Sequence, residues 1–107
     1  MKRISILTMI FMLIFSSIAF AKKGIISYYN DYSRAIIIQL QNGYTCGEVW
    51  SYNSATWDMK RGDIVVGELD SYGSHEIYNL TLDISFTMYA DLTWASYEDA
   101  INWLQTH

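Results

Sequence analysis

The sequence predicts a mainly β protein, a small antiparallel barrel carrying one short C-terminal helix. Three observations predict it. Between Tyr78 and Trp94 apolar residues recur at every second position, the period of a strand with one buried face. Upstream, turn signals such as Asn42-Gly43 and Arg61-Gly62-Asp63 cut the chain into short β-branched and aromatic segments. The period changes once, after Ser96, where apolar residues fall three and four apart.

Taken in order, "GIISYY" at 24–29 reads as a first strand and "RAIIIQL" at 34–40 as a second. Asn42-Gly43 is expected to form a type I′ hairpin turn, since both residues accept positive φ. "TCGEVWSY" at 45–52 is the return strand, and Gly47 within it signals a bulge or a close backbone approach. "NSAT" at 53–56 is a polar loop, Trp57 begins a new segment, and "KRGD" at 60–63 supplies a solvated turn. "DIVVGEL" at 63–69 is a further strand, and "DSYGS" at 70–74 is another loop.

The even positions from Tyr78 through Leu80, Leu82, Ile84, Phe86, Met88, Ala90 and Leu92 to Trp94 then predict one apolar face. That run is longer than a usual strand of about 5–6 residues. Either it bends around a barrel or a turn near Leu82-Asp83 divides it, and division is the preferred reading. Ser96 is an N-cap, with Glu98 and Asp99 favourable in the first turn, so a helix is expected from Tyr97 to Gln105. Tyr97, Ala100, Ile101 and Leu104 would form its inner face. Five or six strands with short connections and one helix correspond to an SH3-like or OB-like barrel.

Residues 1–21 read as a secretory signal peptide helix. Lys2 and Arg3 precede the apolar stretch Ile4–Phe15, and Ala19-Phe20-Ala21 presents small residues for cleavage after Ala21. The stretch is shorter than the roughly 20 residues that span a bilayer, so no stable membrane anchor is expected after cleavage. Removing those residues from the 107-residue chain leaves one domain, residues 22–107, of 86 residues. The leader holds Lys2 and Arg3 and no acidic residue, so its loss takes the net charge from −4 to −6. An acidic surface repels phosphate backbones, and no nucleic-acid partner is expected. Export places the protein in the periplasm or outside the cell.

Leu40 to Gly43, Val49-Trp50, the W-x-x-x-x-G-D-x-V run from Trp57 to Val65, and Tyr78-Asn79 form a recognisable order of signals. It resembles small exported bacterial proteins with SH3-like strands and unsettled function, over roughly residues 34–90. In that pattern a tryptophan tends to follow the hairpin glycine closely, where this chain has Cys46. The resemblance implies a fold and brings no activity with it.

Cys46 is the only cysteine, so no internal disulfide exists. It reads as a buried core thiol; an intermolecular disulfide and a reactive thiol are the other readings. No histidine stands at a recognisable nucleophile–base spacing, and no zinc motif, phosphate loop or G-x-S-x-G is present. His75-Glu76 falls short of the three ligands a metal site needs. The chain is therefore read as having no catalytic residues, no metal and no cofactor, and as not an enzyme.

Beyond the leader the chain has nine tyrosines and one phenylalanine, Phe86. Tyrosine suits interfaces, where one end of the ring is dry and the other wet. Tyr44, Trp50, Tyr52 and Trp57 are the candidate binding residues. The leading expectation is a small interaction domain of the bacterial envelope that engages a protein or peptide through an aromatic face. The alternatives are a cell-wall glycan binder or very small hydrolase using Trp50, Trp57 and Asp58, and a structural or inhibitory envelope protein.

Overall fold

The computed structural model describes residues 22–51 and 54–107. The expected signal peptide helix, residues 1–21, and the candidate Tyr52 lie outside the described residues. Six strands follow one another: β1 (Lys22–Tyr29), β2 (Ala35–Leu40), β3 (Gly43–Val49), β4 (Ile64–Gly67), β5 (Gly73–Asn79) and β6 (Ile84–Ala95). A 3₁₀ turn (Ser54–Asp58) joins the two halves, and helix α1 (Tyr97–Gln105) ends the chain. Two antiparallel meanders, β1-β2-β3 and β4-β5-β6, are zipped together by the pairs β3–β6 and β1–β4. The result is a closed six-stranded antiparallel barrel consistent with an SH3-like or OB-like fold. Closure pairs both outer strands of each meander and removes exposed edges.

Alternation in β2 shows how the fold uses its sequence. Ile36 and Ile38 point inward, with Ile26, Val49, Val65, Ile77, Phe86 and Met88, to fill the barrel. Ala35 and Ile37 point outward into a second cluster with Cys46, Ala100 and Trp103, beneath α1. An "AIII" run is therefore needed because this strand is buried on both faces.

The hairpin between β2 and β3 forms one residue earlier than expected. Leu40 pairs with Gly43, so the loop is Gln41-Asn42. Neither loop residue has positive φ, which excludes a type I′ turn. Gly43 instead enters β3 as a paired residue, where a Cβ would stand 3.0 Å from the Ala95 carbonyl oxygen. Glycine serves a close approach to β6 here.

The long alternating run is divided. Residues 80–83 turn the chain, and Asn79 pairs with Ile84. Residues paired across an antiparallel ladder share a face, so an odd position now lies on the same face as an even one. Ile77 and Asn79 point inward in β5 and Tyr78 points out. In β6 the even positions Phe86, Met88 and Ala90 are buried as expected. Two irregularities end that order. Cys46 pairs with Leu92 while Gly47 pairs with Ala90, which makes Asp91 an extra residue. Tyr44 pairs with Ala95, and Trp94 within the second irregularity has φ 57. Leu92 thereby joins the cluster under α1, and the Trp94 ring is exposed.

Helix α1 has the expected bounds. Ser96 caps it, its hydroxyl accepting from the Asp99 N–H at 3.1 Å. Ser96→Ala is expected to lower stability by about 1 kcal/mol in urea unfolding, with the barrel's β-sheet signal unchanged. The helix buries Ala100 and Trp103, while Ile101 and Leu104 are half-buried and Tyr97 is largely exposed. Trp103 was missing from the expected inner face. Its indole N–H donates to Asp91 Oδ2 at 2.8 Å, so a polar anchor brings the ring down onto the sheet. Among the described residues no helix is long and apolar enough to cross a membrane.

Candidate functional site

The aromatic candidates separate in space. Tyr44 sits in the half-buried layer under α1 and meets the Tyr97 ring edge-on, with centroids 6.0 Å apart. Trp57 lies exposed on the 3₁₀ turn. Trp50, just beyond β3, is half exposed and lies flat on Tyr89 of β6, at 5.0 Å and 17°. Tyr72 then meets Tyr89 edge-on at 5.5 Å, and the Tyr89 hydroxyl donates to the Tyr72 hydroxyl at 2.7 Å. That hydrogen bond pushes the Tyr89 phenol up, with burial and the charges of Tyr72 and Asp91 adding to it. An exposed aromatic cluster of Trp50, Tyr72 and Tyr89 therefore lies on the outside of β3, β6 and β5.

Tyr72 and Tyr89 were not among the sequence candidates. Tyr89 is the one aromatic among the otherwise polar odd positions from Asn79 to Thr93. An aromatic on the solvent face of a strand was the available signal. Tyr72, in a loop, offered none.

The backbone beneath this cluster is held on both sides. Trp50 N–H donates to the Thr87 carbonyl at 2.8 Å, and Thr87 N–H donates to Ser51 Oγ. Arg34 adds a longer-range tie. It has φ 69, its side chain is buried, and its guanidinium donates to the carbonyls of Val49 and Ser51 and pairs with Asp31 at 3.5 Å. One cation thus links the β1–β2 turn to the chain leaving β3. Trp50 is presented by a fixed segment.

Next to the stack, the extra residue of β6 turns Asp91 toward α1. Asp91 Oδ2 accepts from Trp103 Nε1 and lies 3.4 Å from His107 Nε2. The His107 ring lies on the Trp103 indole at 4.2 Å and 15°. Between these groups and the stack is a cavity of about 300 Å³. Another concavity, about 210 Å³, lies at the C-terminal end of β6, beside Trp94, Lys22, Lys23 and Asp70.

Cys46 is fully buried and free. Burial, with the Asp91 carboxylate adding to it, pushes its thiol up to about 11. The native state therefore holds this proton more tightly than the unfolded chain. Its contribution is complete below an unfolded value near 9 and is lost as pH rises toward 11. Stability is expected to fall by on the order of 2 kcal/mol across that window, measured by urea unfolding. Cys46→Ala should flatten this part of the profile. Alkylation of native protein by iodoacetamide at pH 8 should track global unfolding.

Among the described residues no three His, Cys, Asp or Glu side chains come together as metal ligands do. His75 Nδ1 faces Glu68 at 3.5 Å on the surface. Lys60 and Arg61 are exposed in their turn. Compared with protein-family models, with curated proteins and with solved structures, the chain finds no significant match in any of the three.

Proposed function

We propose that this chain is an exported interaction domain of the bacterial envelope, periplasmic or secreted, that engages a protein or peptide through the Trp50–Tyr89–Tyr72 face. It acts by binding and not by catalysis. The observation that carries this reading is the half-exposed Trp50 ring, already stacked on Tyr89 and held through its backbone. Tryptophan and tyrosine dominate binding hot spots. A ring ordered before binding loses little further freedom when a partner covers it. The leader pattern supports export, and the hydroxyl of Tyr89 gives the face a polar rim.

Affinity capture tests this reading. Residues 22–107, which close the barrel and hold both clusters, would be immobilised and exposed to envelope extract and to purified cell-wall sacculi. A Trp50→Ala, Tyr89→Ala variant with unchanged circular dichroism would run in parallel. A protein retained by the wild type and weakened at least about tenfold in the variant is the expected result. Retention of sacculi alone would support the glycan alternative. A partner held equally by both forms would remove this face from the reading.

A further inference from the structure

We infer that the cavity beside the aromatic stack receives a guanidinium group, an arginine side chain of the bound partner. The inference rests on the reading that the Trp50–Tyr89 face is the binding face.

The cavity of about 300 Å³ is lined by Glu48, Trp50, Tyr89, Asp91, Trp103 and His107. No lysine or arginine is among those side chains, and two are carboxylates. Glu48 stands opposite Tyr89 across the β3–β6 ladder and is exposed. Asp91 is half-exposed on the same side, where the irregularity of β6 places it. Its contacts with Trp103 and His107 both use Oδ2, which leaves Oδ1 open to a further donor. The remaining walls are flat rings, with Trp50 on Tyr89 on one side and His107 on Trp103 on the other.

Flat π-faces combined with carboxylates at one concavity suit a planar cation. A guanidinium stacks on aromatic rings and places its fork of N–H donors on carboxylate oxygens. A lysine ammonium is a compact, strongly hydrated charge that uses the ring faces less well. An anionic ligand would meet two like charges. A neutral ligand without donors would cover Glu48 and the open Oδ1 of Asp91 without compensation, which costs free energy. The net charge of −6 for residues 22–107 adds long-range attraction for a basic partner.

The probe is the tripeptide acetyl-Gly-Arg-Gly-amide, titrated into residues 22–107 at pH 7.5 and followed by the indole N–H resonances. The comparison peptides carry citrulline, the neutral isostere, and lysine. Saturable shifts at Trp50 and Trp103 are expected, with citrulline weaker by at least about tenfold and lysine intermediate. A Glu48→Gln, Asp91→Asn variant keeps an acceptor for Trp103 Nε1. It should lose the preference for arginine over citrulline while its free spectrum stays folded. Equal binding of arginine and citrulline, or shifts confined to Trp57 and Trp94, would overturn the inference. A captured protein that is lost in Trp50→Ala, Tyr89→Ala yet unaffected by Glu48→Gln, Asp91→Asn would leave the face reading intact and overturn only the arginine. Arginine-selective shifts at Trp50 and Trp103, with a captured protein indifferent to Trp50→Ala, Tyr89→Ala, would overturn the face reading and with it the assignment of the arginine to that partner.

Discussion

Gly47→Ala is expected to lower the unfolding free energy by about 3 kcal/mol or more, among the largest losses available to a single methyl group in this chain. A Cβ at position 47 would point into the barrel and overlap the Tyr89 carbonyl oxygen. It would also approach the Tyr89 carbonyl carbon at 3.0 Å and Met88 Cε at 2.9 Å. Met88 can turn aside, but the carbonyl belongs to the β3–β6 ladder and moves only with the strand. That ladder is one of the two seams that close the barrel, and it carries Tyr89 on its outer face. Loss of stability should therefore come with altered Trp50 fluorescence. Gly62→Ala is the control. Gly62 has φ +99 but no neighbour within 4 Å of a built Cβ, so its cost is confined to backbone strain of about 1 kcal/mol. Urea unfolding of the two variants separates close approach from conformational strain. Equal losses would refute the packing argument.

Asp63→Ala is expected to cost about 3 kcal/mol by the same measurement. Asp63 is 1% exposed, although it sits in a turn with Lys60 and Arg61 at the surface. Its Oδ2 accepts from Lys60 N–H at 3.1 Å and from Asn79 Nδ2 at 3.0 Å. Asn79 is itself buried, and its Oδ1 accepts from Leu82 N–H at 3.0 Å. One carboxylate thus connects the turn before β4 to the hairpin between β5 and β6. Removing it strands the Asn79 amide in a buried site. Among the described residues every buried side-chain polar atom now has a partner. A double-mutant cycle with Asn79→Ala should return a coupling of about 1–2 kcal/mol. Additive losses would show that the two side chains act separately.

Much of the architecture was legible from local chemistry. Ser96, Glu98 and Asp99 specify a helix start without reference to anything distant, and the helix runs from Tyr97 to Gln105 as its capping predicts. Gly47 announced a bulge or a close approach, and the close approach is there, with β6 too near for a Cβ; the extra residue beside it, Asp91, belongs to β6 and not to β3. The burial of Cys46 followed from the habit of free cysteine in the absence of a partner. The phase of the alternating run was not legible. Period two reports that one face is apolar, but a four-residue turn and two extra residues in β6 each shift which face that is. Leu92 and Trp94 share the parity of Phe86, yet one lies under the helix and the other in solvent.

The aromatic face divides in the same way. An excess of tyrosine can be counted in the sequence, and it signals that some rings stay at the surface. Trp50 was identifiable only as one of four aromatic residues between positions 44 and 57, and the sequence placed it within the return strand rather than just beyond it. Its pairing with Tyr89, 39 positions further along the chain, depends on β3 lying against β6. The partnership of Asp91 with Trp103 and His107 depends on an extra residue in one ladder and on where a helix comes to rest. Composition, capping and turn residues act over a few positions, so the sequence by itself determined the class of fold, the helix and the supply of surface aromatics. Register and barrel closure are set by contacts between distant segments, so the tertiary structure alone decided which rings and which carboxylates share a face.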